Sequence, residues 1–313
     1  MEIFTLNEIK KRINVRKILN LQEEGFKAYS SGRVNAPPIG YIKIGHTPVS
    51  YHIKYGMIEG DDVFVVKLAG GLEQTTKKFG PAKMEGMMLV ISACNGKPLY
   101  LLQDEGYLTN LRTAMAGLIS AKYLAPKKNV VIGVLGTGIQ ARLQVEFLKE
   151  ETRSREVYVW GRNAGNMQKY KSDMEEKGFS VYLCQNASEV AKKSNLIITT
   201  TPSERPLLDC KDIRKGSHIT AVGADSPGKQ ELDPKIFSIA DLVAVDSKRQ
   251  CLDHGELSYV CRSKSFDGSR AIELGKIIEN PMLARVNDSQ TTIVDLTGIA
   301  IQDIQMAKAV LFE

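Results

Sequence analysis

Between residues 41 and 102, apolar positions gather in short β-like runs, at 41–44, 49–53, 63–68, 87–92 and 98–102, divided by polar stretches with Gly, Pro and an Asn95-Gly96 pair. Short runs with turn residues between them predict an antiparallel sheet. Ahead of it, Thr5-Leu6-Asn7-Glu8 has the form of a helix cap, and Ile18, Leu21, Phe26 and Tyr29 recur at near-helical spacing, so residues 5–31 read as helices. Behind it, residues 109–124 form an Ala-rich helical stretch that stops at Pro126-Lys127-Lys128-Asn129, a candidate hinge.

The rhythm then changes. Short, mainly apolar runs at 130–135, 156–160, 180–183, 195–200, 217–222 and 241–245 predict strands, with helical patterns at 139–150, 164–178 and 187–193 among them. Strands without alternation suit a parallel sheet buried on both faces. A strand at 291–296 and a helix at 298–311 follow; a helix returning to the first domain would make that domain discontinuous. The expected class is α/β, with a Rossmann nucleotide-binding domain at 126–296 and an α+β antiparallel-sheet domain at 1–125 with 297–313, the one to which the resemblance described below assigns substrate binding and dimerisation.

Composition narrows the function. A chain of 313 residues, 43% apolar and 25% charged, suits two ordinary globular domains. The net charge of +6 is spread over groups such as Lys10-Lys11-Arg12, Lys77-Lys78 and Lys127-Lys128, with no aromatic residues between them. That is a solvated face, not a nucleic-acid surface. Cysteines 94, 184, 210, 251 and 261 never stand as C-x-x-C, so they read as buried small hydrophobes in a reducing compartment. Histidines 46, 52, 218 and 254 lack metal-ligand spacing, and no metal is expected. Without a signal-peptide pattern or a membrane-length apolar run, the expectation is a cytoplasmic protein with no membrane partner.

The residues with candidate chemistry begin at Gly136-Thr137-Gly138-Ile139-Gln140-Ala141, where an apolar strand runs through a glycine turn into a helix. Gly136 permits the tight turn, Gly138 admits a diphosphate to the backbone, Ala141 lets helix and sheet pack closely, and the helix N-terminus faces the phosphates. Ligands in such sheets bind at the carboxyl ends of strands. Those ends carry Gly161-Arg162-Asn163, Thr199-Thr200-Thr201-Pro202, Val222-Gly223-Ala224-Asp225-Ser226-Pro227-Gly228-Lys229 and Asp246-Ser247. Asp225 and Lys229 shape either a solvated Asx-type turn or a polar site near a nicotinamide. In the first domain, Lys67 faces the same way as Val63 and Val65 and must snorkel or meet an anion. Arg112 and Thr113 head a helix and could clamp a carboxylate or phosphate. His52 and Lys54 are further candidate ligand contacts.

In order along the chain, Val65-Val66-Lys67, Thr109-x-x-Arg112-Thr113, the glycine turn, Thr199-Thr-Thr-Pro202, Gly223-Ala-Asp225-Ser-Pro-Gly-Lys229-Gln-Glu231-Leu and Asp295-Leu-Thr-Gly298-Ile-Ala300 together resemble the ornithine cyclodeaminase/mu-crystallin family. Residues 55–67 look most similar to branches that include ectoine-utilisation proteins and iminosuccinate reductases. The resemblance implies a homodimer with a barrel-like substrate domain and a Rossmann domain for NAD(P)H, acting on a small amino or imino acid by hydride transfer at Cα. It implies that Lys67 and Arg112 hold the substrate carboxylate and that Asp225, counted with Lys67 as catalytic, positions or protonates the nitrogen. Lys229 would support Asp225 or the substrate, while Thr113, Gly138, Gln140 and Gly298 would touch the cofactor. An arginine common upstream of Lys67 falls near Gly40 here, with Lys43 or His52 in its place. The alternatives are cyclodeamination of L-ornithine and non-catalytic ligand binding of the mu-crystallin kind. The strand Val157-Tyr-Val-Trp160 ends in Arg162 without the acid that would accept a ribose hydroxyl, which favours NADP(H) and leaves NAD(H) open.

Overall fold

The computed structural model describes residues 1–72, 78 and 83–312; Lys77 of the expected basic pair lies outside them. The chain divides into two units, Met1–Arg112 with Ile299–Glu313, and Thr113–Gly298.

In the first unit, α1 (Leu6–Lys11) and α2 (Val15–Ser30) follow a short strand, β1 (Glu2–Phe4). Glu8 accepts from the Thr5 backbone N–H at 2.8 Å, as the capping pattern requires. Strands β2 (Val34–Asn35), β3 (Gly40–Lys43), β4 (Val49–Ile58), β5 (Val63–Leu72), β6 (Lys83–Ser92) and β7 (Pro98–Leu102) build a sheet in the order β1-β7-β6-β5-β4-β2, with β3 also on β4. All pairs are antiparallel except β1 with β7. Along β5, Val63, Val65, Lys67 and Ala69 are buried in strict alternation, so the pattern that places three apolar residues inside also places a lysine there. Against β4, β5 and α2 packs α10 (Ala300–Leu311), buried along almost its whole length. A Cβ at Gly25 of α2 would stand 2.8 Å from Gln305 Cγ of α10, so glycine lets the two helices meet closely.

The second unit begins inside α3 (Tyr107–Leu124), earlier than the hinge expected at residue 126. The reason is packing: Ala121 and Ala125 join the core of the parallel sheet with Ile132, Val134 and Val145. That sheet has strands β8 (Ile132–Leu135), β9 (Glu156–Trp160), β10 (Ser180–Leu183), β11 (Leu196–Thr199), β13 (His218–Ala221), β15 (Leu242–Val245), β16 (Ile272–Glu273) and β17 (Thr292–Asp295). The order is β10-β9-β8-β11-β13-β17-β15-β16, every pair parallel. Strands β8, β11, β13 and β17 are buried at every residue, the polar His218, Thr220, Thr292 and Asp295 included. The chain winds outward from β8 in both directions, so strand order reverses between β8 and β11 and leaves a crevice at their carboxyl ends.

Helices α4 (Ile139–Phe147), α5 (Ala164–Glu175) and α6 (Ala187–Lys193) lie where periodicity placed them. The pair β12 (Glu204–Leu208) and β14 (Gln230–Leu232), and the helices α7 (Lys248–His254), α8 (Glu256–Arg262) and α9 (Leu274–Glu279), were not expected. Cys94 is exposed and Cys210 and Cys261 partly so, which corrects the expectation that all five cysteines are buried. Among the described residues no helix is long and apolar enough to cross a membrane, and no cluster of three metal-ligating side chains occurs.

Candidate active site

At the switch point, Gly136 has φ +116°, and a Cβ on it would stand 2.5 Å from Thr200 Oγ1, so only glycine allows the turn this close to the β11 loop. Gly138 caps α4, and a Cβ there would meet nothing within 4 Å, which leaves the backbone N–H groups of the helix start open to a phosphate. Arg142 braces the turn from behind. Its guanidinium donates to the carbonyls of Thr137 and Gly138, the latter at 3.2 Å, and is itself held by Asp173 at 2.7 and 2.9 Å.

A cavity of about 260 Å³ opens over this turn. Three expected groups line it: Gly136, Thr137 and Gly138 of the turn; Gly161, Arg162 and Asn163 after β9; and Thr200, Thr201 and Pro202 after β11. Trp160, Asn166, Ser203 and Leu207 complete the lining and had not been singled out. Asn166 was within reach of sequence reasoning, since it lies one helical turn from Asn163, whose side chain caps α5 by accepting from the Asn166 N–H at 2.9 Å. Ile139 and Gln140 continue into α4, and Thr113, Val222, Gly223 and Gly298 lie elsewhere in the second unit; none of these six lines the cavity.

Beyond the cavity wall lies a buried carboxylate that sequence reasoning quoted without a role. Glu231 Oε1 accepts from Thr201 N at 2.6 Å and Thr201 Oγ1 at 2.7 Å, while Oε2 accepts from Thr199 Oγ1 at 2.6 Å and Gly223 N at 2.9 Å. Burial pushes this carboxyl up to about 7, against the pull of those donors. Behind it, Glu256 accepts from the backbone N–H groups of Glu231 and Leu232 at 2.6 and 3.3 Å. Asp246 does similar work one strand over, accepting from Gly298 N at 2.6 Å and Thr297 Oγ1 at 3.0 Å. On the next loop, Asp225 Oδ1 accepts from Lys229 Nζ at 2.6 Å and from Ser226 Oγ at 3.0 Å, and its side chain is 51% exposed.

In the first unit, the two expected carboxylate binders share a resident partner. Lys67 Nζ lies 3.1 Å from Asp303 Oδ2 and Arg112 Nε 3.4 Å from Asp303 Oδ1, with all three side chains buried. Burial alone would push Asp303 up, but Lys67, Arg112 and Lys54 hold it below the usual carboxylate range. Gln302 fixes the arginine by accepting from Nη1 at 3.3 Å and donating to its carbonyl at 3.1 Å. Lys54 stands opposite Lys67 in the β4–β5 register, and His52 two residues away shares that face, its ring 4.9 Å from Tyr41. Nearby Asp104 is raised above its ordinary value by burial while it caps α3 through the Leu108 N–H at 2.8 Å.

The sequence matches the ornithine cyclodeaminase/mu-crystallin family over residues 2–312. The alanine dehydrogenase of Archaeoglobus fulgidus is 33% identical over 314 residues, 98% of this chain and 93% of its own. A solved archaeal alanine dehydrogenase dimer with bound NAD superposes with a TM-score of 0.88 at 32% identity, covering 99% of this chain and 94% of that one. The Δ1-pyrroline-2-carboxylate reductase of Thermococcus litoralis, solved with NADH and L-proline, superposes with a TM-score of 0.91 at 25% identity, covering 99% and 96%. Fold and cavity thus define a nicotinamide-nucleotide-dependent oxidoreductase. The chain belongs to the ornithine cyclodeaminase/mu-crystallin family.

Proposed function

We propose that the protein interconverts a small L-amino acid and its 2-imino acid by hydride transfer at Cα, as an imine reductase or amino-acid dehydrogenase. The observation that carries this reading is a buried pair of cations in the first unit, Lys67 and Arg112, that share one carboxylate, Asp303. Two cationic side chains on one anion suit a second anion, and a substrate carboxylate is of that kind. Lys67 and Arg112 bind that group, His52 borders it, and Asp303 keeps both cations aimed. Asp225 positions or protonates the substrate nitrogen, since a carboxylate beside it favours the electrophilic iminium, and Lys229 orients Asp225.

The glycine turn suits the diphosphate of a nicotinamide nucleotide, which supplies or accepts the hydride when bound. Thr113, Ile139, Gln140, Val222, Gly223 and Gly298 are proposed as further contacts to it. Arg162 lines the cavity where β9 ends without an acid, which supports NADPH over NADH through pairing with a 2′-phosphate. We also propose a homodimer in a reducing cytoplasm. Tyr41, Ile42 and Ile44 on and beside β3, with Met84 and Met87 on β6, expose apolar surface that a second copy would cover, and all five cysteines are free thiols.

NADPH and NADH absorbance followed with 2-oxo acids plus ammonia or methylamine, cyclic ketimines and L-ornithine tests the reading. Oxidation of reduced cofactor by an imine or by an oxo acid with amine supports it. Proline formed from ornithine without net cofactor turnover would move the protein to cyclodeamination, and binding without any turnover to the mu-crystallin type.

A further inference from the structure

Glu231 presents a puzzle of cost. It is wholly buried, and the four groups that donate to it, two hydroxyls and two backbone N–H groups, carry no charge. A carboxylate kept out of water without a counter-ion is expensive, and an apolar side chain would fill the same space at less cost. What an apolar side chain could not do is bridge two loops. Strands β11 and β13 are neighbours in the sheet, with Thr199 opposite Ala221 at their carboxyl ends. One oxygen of Glu231 takes the Thr201 N–H from the loop after β11, and the other takes the Gly223 N–H from the loop after β13. A Cβ on Gly223 would stand 2.3 Å from Thr201 O and 2.5 Å from Glu231 Oε2, so the loops are drawn together as closely as backbone allows.

The cavity wall is the other side of this arrangement. Thr200, Thr201 and Pro202 line the cavity, and the adenosine half belongs by the fold's logic beyond the end of β9, beside Arg162. We propose that Glu231 is a positioning residue for the nicotinamide half of the cofactor: it fixes the Thr201 loop against the Gly223 loop, with Glu256 anchoring the Glu231 backbone, and the adenosine half is held without it. The inference rests on the nicotinamide-nucleotide reading of the cavity.

The geometry selects an isosteric test. Each carboxylate oxygen accepts one backbone N–H, and a backbone N–H cannot turn round. In Glu231→Gln, whichever way the amide is placed, its NH2 confronts one of them, so one loop is released without a change in side-chain size. Dissociation constants for NADH, NADPH and ADP-ribose are measured by titration alongside the melting temperature, with and without the nucleotides. For E231Q, NADH and NADPH are expected to bind about tenfold or more weakly, with ADP-ribose affinity kept within about twofold. Thr199→Val removes one hydroxyl donor from outside the cavity and is expected to give a smaller shift in the same direction, while Thr199→Ser, which keeps the hydroxyl, restores wild-type values. The threonine pair decides the matter if E231Q does not fold. Unchanged binding of all three nucleotides overturns the inference, and so does an equal loss for all three, which would mark Glu231 as a support of the whole unit. Wild-type protein that binds none of them would instead overturn the cofactor reading.

Discussion

Lys67 on β5 and Asp303 on α10 form an ion pair at 3.1 Å with each side chain only 2% exposed. The lysine proposed to receive a substrate therefore has a permanent anion beside it, and Arg112 shares that anion. Removing one partner strands the others. Asp303→Asn is expected to destabilise the protein by roughly 3–5 kcal/mol in denaturant titrations, and the double variant Lys67→Met with Asp303→Leu to recover part of the loss. A cost below about 1 kcal/mol for Asp303→Asn would mean that the pair is no more than a surface-type contact.

Substrate recognition separates from cofactor binding. Arg112→Met is expected to raise KM strongly, with NADPH affinity nearly unchanged, because the lost contact is made to substrate. Parallel loss of NADPH binding would remove Arg112 from the substrate site.

Asp225 is half exposed and held by Lys229, so its replacement leaves no cavity and no buried charge. Asp225→Asn is expected to retain nucleotide affinity and lower kcat by roughly 10²–10⁴, the usual worth of a positioned acid or base. Wild-type turnover at saturating substrate would show that this carboxylate takes no part.

Cofactor choice reads out at Arg162. Arg162→Ser is expected to weaken NADPH by about tenfold or more and NADH by less than about threefold at one ionic strength. Tighter NADH than NADPH in the wild type would overturn the assignment before any variant is made.

Asp295, at the end of β17, gives a pH test. Burial, with Asp246 adding to it, pushes its carboxyl from 3.8 up to about 7. The folded state then holds the proton more tightly than the unfolded chain, so this group lowers stability progressively as pH rises between about 4 and 7. Asp295→Asn removes the titration. Relative to wild type, the variant is expected to gain roughly 2–3 kcal/mol between pH 5 and pH 8, compared by denaturant titration. Equal slopes for the two proteins would show that Asp295 does not titrate in this range.

What could be read from the sequence was what repeats locally. The alternation of β5 placed Lys67 inside with Val63 and Val65, and the glycine turn at 136–138 with the ends of the strands at 156–160 and 195–200 gave three sets of cavity residues. Partners distant along the chain left weaker marks. Asp303 and Gln302 stood among apolar residues in a helical run that also holds Gln305 and Lys308, which marks polar groups on a mainly apolar helix without saying what they meet. Glu231 was visible in its motif, but its work depends on two loops meeting in space. Helices α7, α8 and α9 span six or seven residues each, and they lack the close framing by two strands that marked the equally short α6 between β10 and β11.

The placement of α10 also orders events during synthesis. Residues 113–298 hold every strand of the parallel sheet in one continuous stretch, so that unit can close its core as soon as it leaves the ribosome. The antiparallel sheet is made first and finished last: until residues 299–312 emerge, β4, β5 and α2 lack the helix that covers them, and Lys67 and Arg112 lack Asp303. A chain with only its first 298 residues free of the ribosome therefore carries a nucleotide-binding unit able to fold and an open, charged, sticky sheet, the state in which this protein is most exposed to aggregation and to proteases.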